Sequence, residues 1–316
     1  MTTGRQSQEN SRKQHRDRIV IVAGRDTAPL RADRIVRFDG HFFTALDAFQ
    51  NAAEEPVLFV TDSSDPDAST SIGRARAGTV VSQALVHRSD LGPLGRTVLS
   101  RIAAALSQQT DPGTVLAVLA EVEAQTRSFV LVDSPAKLNR PAPSLWQHAW
   151  GLLPGTCFLG ELGAKVTAIG RRGLPHSLKD SLRMPDSVLY TAGPQQLSAT
   201  RGTALEQIIE AVRPQQHVVE TPDLEESTRW WGPARPLELC VLPRDIAAIT
   251  HAVRSSGVRC PWCGVIASGA ACTVCGSALL GQAPAVGAAH AVPADPSRAL
   301  QPAHTPAPSI TEGQPA

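Results

Sequence analysis

The sequence predicts an α/β protein built on a mostly parallel, doubly wound sheet, followed by a small C-terminal metal-binding module. Short runs rich in Val and Ile alternate with amphipathic segments of helical length, a pattern typical of strands that are buried on both faces. The 316 residues are 42% hydrophobic and 19% charged, which is enough apolar sequence for a sizeable core. Four cysteines in two C-x2-C pairs indicate the metal module.

The first half of the chain supplies alternating elements. Residues 18–24 form a continuous β-branched run, and after a turn at Asp39-Gly40 the residues Phe42, Leu46 and Phe49 fall on one helical face. Residues 63–71 are rich in Asp, Ser and Pro, so we expect a loop there. Predicted strands lie at 18–24, 34–38, 57–60, 78–86 and 129–132, and predicted helices at 41–55, 94–108 and 114–126.

The second half is less regular. A segment rich in Pro and Trp at 139–154 suggests a boundary, and apolar spacing at 159–169 predicts a helix. Further strands are expected at 187–191, 217–220 and 237–242, with helices at 203–212 and 244–255. The predicted organisation is a disordered basic leader at 1–17, an α/β body at 18–138, a second α/β portion at 139–256, a metal module at 257–280 and a disordered tail at 281–316.

The cysteine pairs carry the most specific pattern in the chain. Cys260 and Cys263 form one pair and Cys272 and Cys275 the other, with eight residues between the pairs. Segment 257–280 therefore resembles a zinc ribbon, and the resemblance implies a structural Zn²⁺ with four thiolate ligands and no open coordination position. Four sulfur ligands also suit iron, so a rubredoxin-like centre stays an alternative. Gly264 follows the first pair, where it allows positive φ.

Bulk properties limit the expected partners and location. The net charge is +1, so no overall field attracts the chain to nucleic acid or to a membrane. The basic segment 1–17 has no apolar stretch typical of a secretory signal, and no run is long enough to span a bilayer. We therefore predict a cytoplasmic protein whose cysteines bind metal in a reducing compartment. Lysine is rare, with four residues, which suggests a GC-rich bacterial source.

Residues 34–66 resemble the central part of a response-regulator receiver domain. The segment reads as strand, turn, helix, strand and then Asp62, with Pro66 four residues later. In that family the aspartate ending the third strand accepts phosphate. The acidic pair that holds Mg²⁺ in receivers is replaced here by Gly24-Arg25-Asp26, so the resemblance implies a degenerate receiver-like or Rossmann-like body.

Other motifs add little. Phosphate-binding and hydrolase motifs are absent, and Ser134 to Lys137 spells S-x-x-K without the downstream partners of that motif. Trp230 and Trp231 are interpreted as packing residues. Asp133, like Asp62, follows a predicted buried strand, so both carboxylates are candidate ligand-binding or phosphoacceptor-like positions at the carboxyl end of a sheet.

The leading hypothesis is a non-catalytic regulatory or adaptor protein that docks another protein through its zinc ribbon. The alternative is an enzyme or enzyme subunit that binds a small ligand or nucleotide at the carboxyl ends of the strands, near Asp62 and Asp133. A third hypothesis is nucleic-acid binding through the ribbon and Arg259, for which the sequence offers no positive evidence.

Overall fold

The computed structural model describes residues 20–23, 35–37, 42–52, 57–79, 84–107, 109–150, 155–170, 173–221, 224–264, 266–267, 271–272, 275 and 277–279. The predicted leader at 1–17 and tail at 281–316 lie outside these residues. The strands are β1 Val20–Ala23, β2 Ile35–Arg37, β3 Val57–Asp62, β4 Ala84–Ser89, β5 Arg127–Val132, β6 Cys157–Glu161, β7 Val166–Ile169, β8 Ser187–Ala192, β9 Gln216–Glu220, β10 Leu237–Pro243, β11 Val258–Arg259 and β12 Ile266–Ala267. The helices are α1 Phe42–Ala52, α2 Pro66–Ala77, α3 Pro93–Ser107, α4 Pro112–Ala124, α5 Leu145–Trp150, α6 His176–Leu182, α7 Ala199–Val212, α8 Leu224–Trp231 and α9 Ile246–Ser256.

The first four strands form a parallel sheet in the order β2-β1-β3-β4. Along β3 the side chains alternate between two apolar clusters: Val57 and Phe59 face α1 and α2, whereas Leu58 and Val60 face α3 and α4. This alternation explains the continuous apolar run, because a strand covered by helices on both faces has no solvent-facing side. The predicted α/β class and the parallel, doubly wound arrangement are confirmed for this sheet.

The next six strands form a second sheet in the order β7-β6-β5-β10-β8-β9. Its pairs are antiparallel except for β8 with β9. The mostly parallel prediction therefore does not extend to this half of the chain. The reason is connectivity: β6 and β7 join through a short turn and pair as a hairpin, which places adjacent strands in opposite directions.

Helices α3 and α4 lie between the two sheets and share one core with both. That core joins Leu58 and Leu85 of the first sheet to Cys240 and Leu242 of the second, with α9 at its edge. Helix α4 is apolar and buried on almost every side, as its position between two sheets requires. Helices α6 and α7 cover the far face of the second sheet. None of the described helices is long and apolar enough to cross a membrane.

Two local predictions were wrong. Residues 159–169 form the β6–β7 hairpin instead of a helix, with Gly163 at φ +74° in its turn. Most of the loop expected at 63–71 is helix α2, because Asp65 caps its start by accepting hydrogen bonds from the amides of Asp67 and Ala68, and Pro66 occupies the first turn. Asp65 and Pro66, which contributed to the loop prediction, therefore mark the start of a helix.

Candidate functional site

Asp62 ends β3 and lies in a dense polar cluster. Its Oδ1 accepts hydrogen bonds from the Ser64 amide at 2.8 Å and the Ser64 hydroxyl at 2.7 Å. Its Oδ2 accepts one from Trp230 Nε1 at 2.8 Å and lies 3.5 Å from Arg96 Nη1. Burial by itself raises the pKa of Asp62, but the Arg96 charge and the hydrogen bonds from Ser64 and Trp230 outweigh burial, so its pKa is lowered. The neighbours of Asp62 therefore favour its charged carboxylate form.

Arg96, on α3, is the buried cation of this cluster and is only 4% exposed. Besides Asp62, it contacts Glu226 of α8, with 2.5 Å between Nη2 and Oε1, and it donates to the Leu91 carbonyl at 2.8 Å. Arg140 stacks over Trp230 at 4.9 Å and donates to the Ser64 hydroxyl. The cluster thus joins the end of β3 to α3 and α8, and its two arginines balance its two carboxylates.

These contacts define the surroundings of Asp62, which stays a candidate ligand-binding or phosphoacceptor-like position. The Oδ1 atom is held by Ser64, two residues along the chain, and the Oδ2 atom by Trp230 and Arg96 from distant segments, so both oxygens already have partners. Arg96, Glu226 and Trp230 were not singled out as site residues from the sequence. Trp230 is 168 positions away from Asp62, and no local spacing pattern could have linked them.

Asp133 follows β5 in the second sheet and has different partners. Its Oδ1 accepts a hydrogen bond from the Ser198 hydroxyl at 2.6 Å, and its Oδ2 lies 3.5 Å from Arg201 Nε. Ser198 caps α7 by accepting from the Arg201 amide. The structure therefore does not bring Asp62 and Asp133 into one cluster: they end strands of different sheets and share no hydrogen-bond partner in the part of the chain that the structure describes.

A cavity of about 350 Å³ opens beside Asp133 at the carboxyl end of β5. Arg201 is the buried charged residue of its wall, at 3% exposure, while Lys137 and Arg235 are exposed at its rim. The full lining is Val132, Asp133, Ser134, Ala136, Lys137, Arg201, Pro233, Ala234 and Arg235. The volume is at the lower end of the range for small-molecule sites, and the wall combines apolar surface with cationic groups.

Cys157 is buried near this cavity but does not supply a nucleophile. Burial first, and the nearby Asp133 charge second, raise the pKa of its thiol to about 11, although Arg201 opposes the shift. Cys240 is also buried, and the pKa of its thiol is raised to about 12, chiefly by burial. Both cysteines are therefore inert core residues at neutral pH.

Gly232 shapes the cavity through a close backbone contact. Its φ is +102°, and a Cβ at this position would lie 1.8 Å from the Lys137 carbonyl oxygen. The preceding residue, Trp231, accepts a hydrogen bond from the Asn139 amide at 2.8 Å. These contacts hold together the two segments that carry Lys137 and Pro233 into the cavity wall.

We expect Gly232→Ala to lower the free energy of unfolding by roughly 2 kcal/mol or more, because it adds both backbone strain and a clash with the Lys137 carbonyl. Urea denaturation measures the change. Gly73→Ala is the matched control: Gly73 lies within α2 with open space around it, so alanine should be neutral or stabilising there. Equal effects of the two substitutions would contradict the role of Gly232.

The four predicted cysteine ligands lie together. Their sulfur atoms are all within 4.8 Å of one another, with Cys260 and Cys275 at 3.6 Å and Cys263 and Cys272 at 3.5 Å. Zn–S bonds of about 2.3 Å in a tetrahedron place sulfurs about 3.8 Å apart, so the donor set fits a single metal ion. Gly264 follows the first pair at φ +74°, as expected. Strands β11 and β12 pair beside the cluster, and β12 lies against α4.

Comparison with known proteins identifies the fold. No family model and no curated protein matches the chain. Solved structures do: a DegV family protein from Corynebacterium glutamicum has a TM-score of 0.52 at 9% identity, covering 72% of this chain and 97% of that one. A DegV family protein from Thermus thermophilus, titled for fatty-acid binding, has a TM-score of 0.52 at 13% identity, with 72% and 99% covered.

The Streptococcus pneumoniae fatty acid kinase B3 protein, loaded with linoleic acid, also matches, with a TM-score of 0.51 at 11% identity and 72% and 99% of the two chains covered. The chain thus has an α/β fold with two sheets and a charged cavity at a strand end. More specifically, the fold is that of DegV family proteins. At these identities the likeness concerns the fold alone.

Two predictions are corrected by this finding. The whole-chain neighbours are DegV proteins and not receiver domains, so the receiver resemblance of residues 34–66 was wrong. The first sheet does show the order β2-β1-β3-β4, but the chain then builds a second sheet from β5 onward. The regulatory or adaptor hypothesis, which relied on the metal motif and on the absence of a recognisable catalytic set, is wrong as well, because the structural neighbours are described as fatty-acid-binding proteins. The alternative of small-ligand binding is the better supported hypothesis.

Proposed function

We propose that this chain binds a small amphipathic acid, such as a long-chain fatty acid, in its DegV-like fold. The observation that carries the proposal is the cavity at the carboxyl end of β5, because its wall offers both apolar surface and cationic groups. The fold adds support: structural neighbours that match over nearly their whole length are loaded with heptadecanoic or linoleic acid. Open α/β sheets commonly bind ligands at the carboxyl ends of their strands.

The proposal is tested by analysing what the protein carries and what stabilises it. We expect mass spectrometry of the purified chain to detect a bound acyl acid. After delipidation, palmitic acid should raise the melting temperature, and the shift should grow with the logarithm of its concentration, because a ligand at 100 times its Kd stabilises the folded state by about 2.7 kcal/mol. An alkylammonium of equal chain length controls for detergent-like effects. Absence of both the co-purified acid and the melting-temperature shift would refute the proposal.

The cysteine cluster is proposed to hold one structural Zn²⁺. Four thiolates close a tetrahedral shell, so the ion presents no water for catalysis, and the proposed role is to stabilise segment 258–279, whose own apolar cluster is small. The domain boundaries, the absence of catalytic activity, the cytoplasmic location and a protein partner all stay predictions.

A further inference from the structure

We infer that the acid group of the ligand binds to Arg201 in the cavity at the carboxyl end of β5, and not in the Asp62 cluster. This inference rests on the proposed function and specifies its recognition site. Two polar clusters near strand ends, one around Arg201 and one around Asp62, are candidates for binding the acid group. They differ in the hydrogen-bond donors and the net positive charge that they offer.

Arg201 is the buried cation of the cavity wall. Its Nη1 donates to the Arg235 carbonyl at 2.6 Å and lies 3.5 Å from the Leu131 carbonyl, which fixes the direction of the guanidinium. Its Nε lies 3.5 Å from Asp133 Oδ2, within ion-pair distance, but makes no hydrogen bond to any described residue. An incoming carboxylate would add a charge-assisted hydrogen bond to a guanidinium whose contact with Asp133 is long.

The charges around the cavity favour an anion. The wall carries three cationic side chains, Arg201, Lys137 and Arg235, and one carboxylate, Asp133, which leaves a formal excess of two positive charges. The cavity also lies near the start of α7, where the Ser198 hydroxyl accepts from the Arg201 amide and donates to Asp133. Positive helix ends favour negative groups. A carboxylate therefore enters a site that is only partly neutralised by the protein.

The Asp62 cluster offers no such excess. Arg96 and Arg140 are balanced by Asp62 and Glu226, and Arg96 is within ion-pair distance of both carboxylates. Asp62 and Glu226 thus provide Arg96 with two internal carboxylates, whereas Arg201 faces only the carboxylate of Asp133. A ligand acid placed there would add a third negative charge to two positive ones and would compete with Asp62 for its donors.

The apolar part of the cavity specifies the ligand further. Val132, Ala136, Pro233 and Ala234 line it together with the charged groups. This combination suits a carboxylate attached to an apolar chain better than a polyanion such as a nucleotide, whose sugar and base need polar partners. The ligand class is therefore a monocarboxylic acid with an aliphatic chain.

The test compares palmitic acid with hexadecan-1-ol, which has the same chain length but no charge, on delipidated protein by titration calorimetry. We expect Arg201→Gln to weaken palmitic acid binding by about tenfold to hundredfold, as the loss of a charged hydrogen bond implies, while hexadecanol binding stays unchanged. Arg183→Gln is the matched control, since Arg183 is exposed and outside the cavity wall. Circular dichroism checks that each variant folds.

A second variant keeps the inference falsifiable if Arg201→Gln does not fold. Lys137→Gln combined with Arg235→Gln changes two exposed rim residues, and we expect it to weaken palmitic acid binding several-fold and to reduce its salt dependence. If the wild type binds neither compound, the proposed function and this inference both fail. If the wild type binds palmitic acid and neither variant changes its affinity, only the placement of the acid group on Arg201 is overturned.

Discussion

Replacing Arg96 with methionine should lower the free energy of unfolding by about 3–5 kcal/mol, because it leaves the buried Glu226 and the partly buried Asp62 without their shared cation. Urea denaturation measures the loss. Arg88→Met provides the control, since Arg88 is exposed on the neighbouring strand β4 and should change stability by less than about 0.5 kcal/mol. Similar losses for the two variants would show that Arg96 is not the centre of the cluster.

The same variant should raise the pKa of Asp62. In the native protein burial raises that pKa, and the Arg96 charge is the largest of the effects that lower it, so removing Arg96 leaves burial less opposed. Because the folded-state pKa lies below the unfolded value, Asp62 contributes stability above about pH 4, and this contribution is lost as the pH falls through the folded pKa. NMR titration of the Asp62 carboxyl group measures the change; an unchanged pKa would contradict the assigned contact.

Replacing Cys272 with serine should abolish stoichiometric metal binding and unfold the ribbon locally. The wild type is expected to hold about one zinc per chain, and structural zinc sites contribute roughly 10–16 kcal/mol of binding free energy, far more than the small apolar cluster around Cys260, Ala267, Cys272 and Leu279 can supply. Elemental analysis measures the metal, and hydrogen exchange of residues 258–267 measures the loss of structure. A chelator should have the same effect on the wild type.

Cys157→Ser is the control for this experiment, because Cys157 is buried outside the cluster and its loss should leave the metal content unchanged. The core that Leu58 and Leu85 share with α3 and α4 should keep its protection from hydrogen exchange in the Cys272 variant, because it does not include the ribbon residues. If the purified protein is coloured and contains iron, the cysteine cluster is a rubredoxin-like iron centre and not a zinc site. Unchanged metal content in Cys272→Ser would refute the four-cysteine site.

Features that depend on local spacing were predicted from the sequence, whereas features that depend on distant partners were not. The metal ligands were predicted because C-x2-C spacing is a local geometric requirement, and the structure brings all four sulfurs together. The buried strand ending at Asp62 was predicted because its apolar run needs no distant partner to be recognised. The β6–β7 hairpin was missed because its apolar residues and glycines also fit helical spacing, and only antiparallel pairing distinguishes the two.

By itself, the sequence determined the α/β class, the first parallel sheet and the cysteine cluster, all of which depend on period, composition and short spacing. Only the tertiary structure decided the surroundings of the two aspartates. It surrounds Asp62 with Arg96 and Trp230, so that Asp62 becomes an internal counterion, and it leaves Asp133 beside a cavity with a buried arginine. The physical reason is that the charge and burial of a carboxylate depend on side chains brought from distant segments, and no local pattern records which of them arrive.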